Sequence, residues 1–340
     1  MAIIGHWNSL TEAQKLVQHE LLLAGVVEEI IKEGEMLSRL PVMQIDAKEL
    51  IYYRESTLPS PNYYAPGGQM SWDADTAYGS KKTVALAIVG GQRRIDKFIR
   101  DTYKNPNDYR AQVMKEITKG LTHWLEAELF YGTGATNHCD GLAYMLGASG
   151  EADASMTAVG GTANASGGAL SITQLRCLVD AVRPKPDVLV MNRNFARKFD
   201  AFVQEAPLES AANKDQIFGS RMTTTLNELG QRVTYFDGIP IVRSDFLTVT
   251  ESATGTYDAS ASLTSVYAVR FGQIMEGGLS LVTGGQGGEI GRIMSVDTFD
   301  KLEDYNAEGI RVVGYFDFAL GSTKGAARIF NIDDTAAITA

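Results

Sequence analysis

The strongest pattern in the chain is a run of apolar residues at three- and four-residue spacing: Val113, Ile117, Leu121, Trp124, Leu125 and Leu129. Side chains spaced this way share one face of an α-helix. Lys115, Glu116, Lys119 and Glu126 are assigned to the opposite, wet side. Asn105-Pro106-Asn107-Asp108 supplies start signals, and Gly132 and Gly134 supply stop signals. The pattern predicts one helix over 108–132, about 38 Å long at about 1.5 Å per residue. That is long enough to span a whole domain. A second helical pattern covers 11–38, with Thr11 and Gln14 at capping-box spacing and Pro41 beyond its end. Gly25 and Gly34 predict a bend or break in it.

Other segments read as extended. Residues 42–58 and 82–96 form two arms; Thr83 to Val89 is rich in β-formers, and Gly90-Gly91 is read as its stop. Between the arms, Pro59 to Ser80 keeps neither period. A structureless stretch of about 20 residues inside a domain usually has a function. The 45–95 segment also has few apolar partners of its own. Residues 147–169 are mostly Gly, Ala, Ser and Thr and read as a loop or flap. Ser171 caps a helix over 172–183, Asp187 to Met191 is a short buried strand, and a helix follows Asn192. Arg232 to Phe236 and Ile239 to Val242 flank Asp237-Gly238, a hairpin signal, and Pro240 predicts an edge position. Strands are expected at 265–271 and 278–283. Two long strands, 290–302 and 309–320, then form a hairpin that sets Val312, Gly314, Phe316 and Phe318 against Arg311, Val313, Tyr315 and Asp317. A last strand runs from Ala327 to Ile332.

Composition narrows the function. At 340 residues the chain has room for about two domains of roughly 150 residues. With 44% hydrophobic and 21% charged residues it is a folding sequence rather than a disordered one. The net charge of −10 argues against a dedicated nucleic-acid binder and against an anionic membrane as partner. Two cysteines, Cys139 and Cys177, exclude a disulfide scaffold and a four-cysteine zinc site, and both read as buried free thiols. No secretory leader is expected, and the longest apolar run, Leu21 to Val27, is far short of the roughly 20 residues a spanning helix needs. The reading is a protein made and used, or assembled, inside a cell.

Catalytic motifs are missing. No Gly-Lys dipeptide exists, so there is no phosphate loop of the Walker type. Gly132-Thr133-Gly134-Ala135 follows a helix rather than a strand and lacks the third glycine of a dinucleotide fingerprint. Gly284-Gly285-Gln286-Gly287-Gly288 offers backbone N–H groups to an anion, but a turn between strands is the plainer reading. His138-Cys139-Asp140 places three ligand types side by side, where neighbours in an extended chain point apart. Asp333-Asp334, and Asp300 with Glu303-Asp304, are acidic groups that read as solvated. Arg93-Arg94, with Lys97 and Arg100, is the one local basic cluster. It suits a salt bridge to a partner subunit, a phosphate, or a solvated helix face. No catalytic, cofactor or metal site is assigned.

The order of elements carries more than any motif. An N-terminal helix, a two-armed loop, one very long helix, a mixed α/β region, a long terminal hairpin and a return strand follow each other. This arrangement resembles the major capsid proteins of tailed phages, the Hong Kong 97 fold, over essentially the whole chain. Three phrases are similar to that family: Tyr131-Gly132-Thr133-Gly134 leading to Gly141-Leu142; Asp187-Val188-Leu189-Val190-Met191-Asn192; and Gly238-Ile239-Pro240-Ile241-Val242. The resemblance implies an α+β fold in defined parts. These are an N-terminal arm over 1–44, an extended loop over 45–96, a peripheral domain with the spine helix over 97–145 and 286–320, and a mixed α/β axial domain over 146–285 and 321–340.

The resemblance also implies a non-enzymatic shell subunit. Copies would form hexamers and pentamers of an icosahedral head, assembled in the host cytoplasm, located in the virion, and enclosing double-stranded DNA without specific contact. Scaffolding and portal proteins are the further partners it implies. About 40 residues precede the loop, so any scaffold would be a separate protein. No Lys lies between Lys48 and Lys81, so the isopeptide cross-link of some family members is not carried over. Tyr63, Tyr64 and Trp72 at the loop tip, with Arg93 and Arg94, are the subunit-interface candidates, aromatic residues and Arg being enriched at such surfaces. An encapsulin-like shell and, from another class, a two-domain α/β enzyme are the competing readings.

Overall fold

The computed structural model describes residues 32, 34–55, 58, 61–69, 78–102, 106–146, 155–157, 168–205, 222–226, 232–252, 256–285, 294–303, 305–335 and 338. The predicted 11–38 helix lies outside these residues apart from its end, where Met36–Arg39 forms one helical turn. The strands are β1 (Val42–Ile45), β2 (Glu49–Glu55), β3 (Tyr78–Ala85), β4 (Ala87–Asp96), β5 (Ser155–Thr157), β6 (Val188–Asn192), β7 (Met222–Leu226), β8 (Arg232–Phe236), β9 (Ile239–Ser244), β10 (Leu263–Val269), β11 (Leu279–Gly284), β12 (Met294–Phe299), β13 (Ala307–Leu320) and β14 (Ala326–Asp333). The main helices are the long one, Pro106–Tyr131, and two shorter ones, Ile172–Ala181 and Arg193–Glu205.

Two sheets organise the molecule. In the first, β13 pairs antiparallel with β4 along one edge, from Ala307 opposite Asp96 to Phe316 opposite Ala87. Its other edge is shared: β12 pairs with residues 309–314 and β11 with 316–320, and β1 adds in parallel outside β11. The long helix covers one face of this sheet. Val113, Ile117, Leu121, Leu125 and Leu129 are all buried against Val89, Ile95, Ile310, Val312 and Phe316. The apolar period in the sequence therefore marks the packed face correctly, with two corrections. Trp124 is 37% exposed and stands beside the buried line. Glu126, assigned to the wet side, is buried, because the chain at 34–37 passes over it.

The second sheet has the order β5-β14-β10-β6-β9-β8-β7. β6 and β10 are buried along their whole length because the sheet is covered on both faces. Leu189, Met191, Val266 and Ala268 pack against the helices Ile172–Ala181 and Arg193–Glu205, whereas Val190, Tyr267 and Val269 face the core of the long helix. Ser171 caps its helix as expected, in a full capping box with Gln174.

Several expectations need correction. Gly90-Gly91 does not stop a strand; β4 continues to Asp96, and a β-carbon on Gly91 would lie 2.8 Å from Ile117 Cγ2. That glycine lets the long helix approach the sheet. Pro240 is not on an edge strand, since β9 lies between β6 and β8. It sits where only β8 pairs with it, the β6 pairing beginning at Ile241, so its missing N–H costs no ladder bond. Within 147–169 a short strand, β5, pairs with β14. Of the two thiols, Cys139 is buried but Cys177 is exposed, on the polar side of its helix.

The glycine phrase after the long helix has a steric reason. Gly132 and Gly141 meet back to back: a β-carbon on Gly132 would lie 2.7 Å from Gly141 N, and one on Gly141 would lie 2.3 Å from Gly132 N. Gly141 N donates to Gly132 O at 3.1 Å, closing the turn that ends the helix.

Candidate assembly surfaces

β2 and β3 form a two-stranded antiparallel ribbon that is hydrogen-bonded into neither sheet; at its base Val84, Leu50 and Tyr52 pack with Val282 and Ala319 of the first sheet. Strand alternation gives it two faces. Leu50, Tyr52 and Arg54 point inward. Tyr52 donates its hydroxyl to Leu320 O at 2.7 Å, and Arg54 donates to Leu320 O at 2.6 Å and Gly321 O at 3.0 Å. The ribbon base is thereby fixed to the end of β13, and β4 is a full member of the first sheet. The expectation of few local partners across 45–95 is corrected for both. It describes the outer face, where Ile51 and Tyr53 are 46% and 62% exposed between Glu49 and Glu55, opposite Thr83 and Lys81. Further out, Leu58 and Tyr63 are strongly exposed and Tyr64 partly so. Trp72 lies outside the described residues.

The basic cluster is divided between two elements: Arg93 and Arg94 lie on β4, whereas Lys97 and Arg100 lie on the short helix Lys97–Thr102 that follows it. Because neighbours on a strand point apart, Arg93 and Arg94 have different fates. Arg93 turns toward the long helix and pairs with Glu116. Arg94 turns to the opposite sheet face, its guanidinium 4.6 Å from the Tyr305 ring centroid. Arg311 is on the same face, 5.2 Å from the Phe299 ring centroid and bonded to Gln92 at 3.2 Å. A cleft of about 250 Å³ opens among these residues. Sequence reasoning missed Arg311, Phe299 and Tyr305 because β13 and β12 bring them to β4 from more than two hundred positions away.

The interior holds polar joints rather than a reactive centre. At the end of the long helix, Tyr131 donates to Glu251 Oε1 at 2.6 Å and accepts from Thr248 N at 3.0 Å. Ser265 donates to the other oxygen of Glu251, and Arg328 Nη2 lies 3.6 Å from that oxygen. Burial raises the Glu251 carboxyl, while Arg328, Ser265 and Tyr131 oppose the shift. Arg110 grips Glu308 through two nitrogens at 2.9 and 2.6 Å, tying the start of the long helix to β13. Burial pushes the Cys139 thiol up, aided by Asp317, Glu128 and Asp140, so it is a poor nucleophile. Asp334 pairs with Lys198 at 3.2 Å, which accounts for that acidic residue within the chain. Among the described residues no three His, Cys, Asp or Glu side chains are grouped to hold a metal ion, and no helix is long and apolar enough to cross a membrane.

A ribbon projecting from a two-sheet body, with one long helix across the first sheet and a second sheet covered on both faces, is the Hong Kong 97 fold. Solved structures of that class align over nearly the whole chain. The holo-SrpI encapsulin complex from Synechococcus elongatus PCC 7942 aligns with a TM-score of 0.60 and 15% identity, covering 96% of each chain. The capsid of the native GTA particle aligns at 0.61 and 11% identity, over 94% of this chain and 98% of that one. A chain from Mycobacterium phage Bobi aligns at 0.53 and 15% identity, over 94% and 97%. No family model matches the sequence, and no curated protein matches it.

Proposed function

We propose that the chain is a major capsid protein whose copies build the icosahedral head of a tailed phage around double-stranded DNA. The observation that carries this reading is the Hong Kong 97 fold over nearly the whole chain, joined to a ribbon and tip whose Ile51, Tyr53, Leu58 and Tyr63 are exposed, with no surface covering them among the described residues. Exposed apolar groups of this kind are covered by association. The part of the first sheet's second face that the ribbon base leaves exposed offers a complementary surface, with Arg94 and Arg311 stacked on aromatics where the ribbon carries Glu49 and Glu55. Ribbon and sheet face are different patches, so their contact is head to tail, the kind of contact that closes into a ring when the rotation between copies permits. Tyr63, Tyr64, Trp72 and Arg94 are interface residues in this reading, whereas Arg93 serves its own subunit through Glu116.

The long helix with β12 and β13 belongs to a peripheral domain (97–145 and 286–320), whose sheet is completed by β1, β4 and β11 from the neighbouring segments. The second sheet and its helices belong to an axial domain (146–285 and 321–340), and 1–44 and 45–96 are arm and extended loop. The subunit works without catalysis, in the virion, after assembly in the host cytoplasm with scaffolding and portal proteins. An encapsulin-like shell is the second reading, supported by the alignment with the SrpI encapsulin over 96% of each chain.

Negative-stain imaging of purified protein should show closed shells or ring-shaped capsomers. A single dispersed 340-residue species across salt and concentration would overturn both shell readings. Nuclease-protected DNA in particles purified from the native source supports the capsid; a co-purified protein cargo supports the encapsulin-like shell.

A further inference from the structure

Just before β1 the chain crosses the long helix at residues 34–40. Two apolar pins hold it there, since Met36 is fully buried and Leu40 nearly so, both in the core beneath the long helix. Glu126 lies under this crossing and is 2% exposed. Its Oε1 accepts one long bond, 3.3 Å from Leu37 N. Its Oε2 is buried without a hydrogen-bond partner, and a β-carbon on Gly34 would lie 1.6 Å from it. A buried carboxylate normally has several donors, because its charge loses water on burial. Among the described residues this one has a single weak donor.

The surrounding charges do not supply the missing partner. From the crossing itself come Glu35, which repels the carboxylate, and Arg39, which is bonded to Glu35 at 2.8 Å. Lys32 Nζ sits 5.7 Å from the centroid of the Phe246 ring. On the long helix, His123 packs edge-on to Phe246 at 5.3 Å, and Lys119 lies one turn behind it. Burial, Lys119 and Lys32 together hold His123 below its ordinary value. In the turn that carries Phe246, Asp245 is paired with Arg193 at 3.0 Å. Burial lifts the Glu126 carboxyl above the usual range, with the Leu37 bond opposing and Glu35 adding to the rise.

We propose that Glu126 and residues 34–40 form a proton-operated latch. With the carboxyl protonated, the crossing stays clamped on the long helix; with it ionised, the crossing lifts and water reaches the carboxylate. The segment is the part able to yield, because among the described residues it is held by the two pins, by Leu37, which packs half-buried against the same core, and by few hydrogen bonds. It has the Leu37 bond, a 3.2 Å bond from Leu40 N to Met36 O and a 2.8 Å bond from Ser38 Oγ to Glu35 O, whereas β1, directly after it, is locked to β11. The latch decides whether the chain preceding β1 is held to its own subunit's long helix. It does not depend on the shell reading.

The test is hydrogen exchange at the Leu37 to Leu40 amides of the whole protein from pH 5 to 8, corrected for intrinsic exchange rates. The open state has an ordinary carboxyl near 4.5 and the closed state a higher one, so the closed state binds the proton more tightly. Opening therefore increases up to about tenfold per pH unit between those two values and then levels off. Glu126→Gln keeps the size and the acceptor for Leu37 but cannot ionise, so its opening constant should not change with pH. Glu35→Gln, at an exposed position, removes the repulsion and should bring the levelling to lower pH. Opening that is flat with pH in the wild type, that rises equally in Glu126→Gln, or that is matched by the long-helix amides would overturn the latch. The wild-type slope and the Glu35→Gln shift decide the matter even if Glu126→Gln does not fold.

Discussion

Asp317 is a carboxyl in the middle of β13, where both faces of the strand are buried. Its Oδ1 accepts from Asp140 N at 2.9 Å and from Phe318 N at 2.8 Å. Burial outweighs these bonds, and with Asp140 nearby the carboxyl is pushed up to about 7 from an ordinary 3.8. The folded value lies above the unfolded one, so the favourable, protonated state is fully present below about pH 4. Its contribution is lost as pH rises through about 7. Each unit of difference is worth about 1.4 kcal/mol, so the loss reaches a few kcal/mol. Asp317→Asn keeps the acceptor and cannot ionise. Urea unfolding between pH 5 and 8 should show wild-type stability falling toward pH 8 and the variant nearly level; parallel curves would place the titration elsewhere. Burial raises the Glu251 carboxyl as well, but there Arg328, Ser265 and Tyr131 oppose the shift.

At the scale of elements, the contact between the long helix and β4 depends on a missing side chain. Gly91 faces Ile117 and Leu121 so closely that any β-carbon collides with Ile117. Gly91→Val should force the helix off the sheet and cost about 1–3 kcal/mol. Gly90, one position along, turns to the exposed face, where a β-carbon would meet Val313 Cγ2 at 3.4 Å and Val312 O at 3.3 Å. Gly90→Val should lose clearly less in the same urea midpoint measurement; equal losses would point to a shared effect on the strand. Leu121 and Leu125, one turn apart on the helix, are 9% and 5% exposed. Replacing such a buried Leu by Ala costs about 2–5 kcal/mol, so the double variant should melt far below wild type or fail to accumulate as soluble protein. Wild-type melting would mean that this face is not the core.

At the scale of the molecule, two groups of exposed apolar residues stand out beside scattered ones such as Phe98, Tyr257 and Met275. Ile51, Tyr53, Leu58, Tyr63 and Tyr64 belong to the ribbon and tip, while Ile88, Phe299 and Tyr305 belong to the first sheet and the turn beside it. Among the described residues neither group covers the other, the ribbon base being bonded to the far end of β13. In the shell reading they meet between copies. Arg94→Glu should then weaken association by about 1–2 kcal/mol, roughly five- to thirtyfold in the dissociation constant, with melting unchanged. Arg93→Glu should instead lower subunit stability, since it places an acid against Glu116. Sedimentation velocity beside thermal melting separates the two, and loss of association without loss of stability in Arg93→Glu would reverse the assignment.

The sequence alone determined what local geometry controls. The long helix, the Ser171 cap, the Asp237-Gly238 hairpin and the alternating strands follow from periods of 3.6 and 2 and from turn chemistry, all of which act within a few residues. The tertiary structure decided which polar and apolar positions meet. Glu126 and Glu116 look alike on the helix, yet one is buried under residues 34–37 and the other pairs with Arg93. Cys139 and Cys177 differ only through what packs against them. Gly91 reads as a strand stop until Ile117 is set against it, and Pro240 reads as an edge residue until β6 is seen to begin its pairing one residue later. The candidate surface was half legible for the same reason. Tyr63, Tyr64 and Arg94 stand out in sequence, but Arg311, Phe299 and Tyr305 join Arg94 only through strand register, because burial and charge pairing depend on residues far away in the chain and no local pattern encodes them.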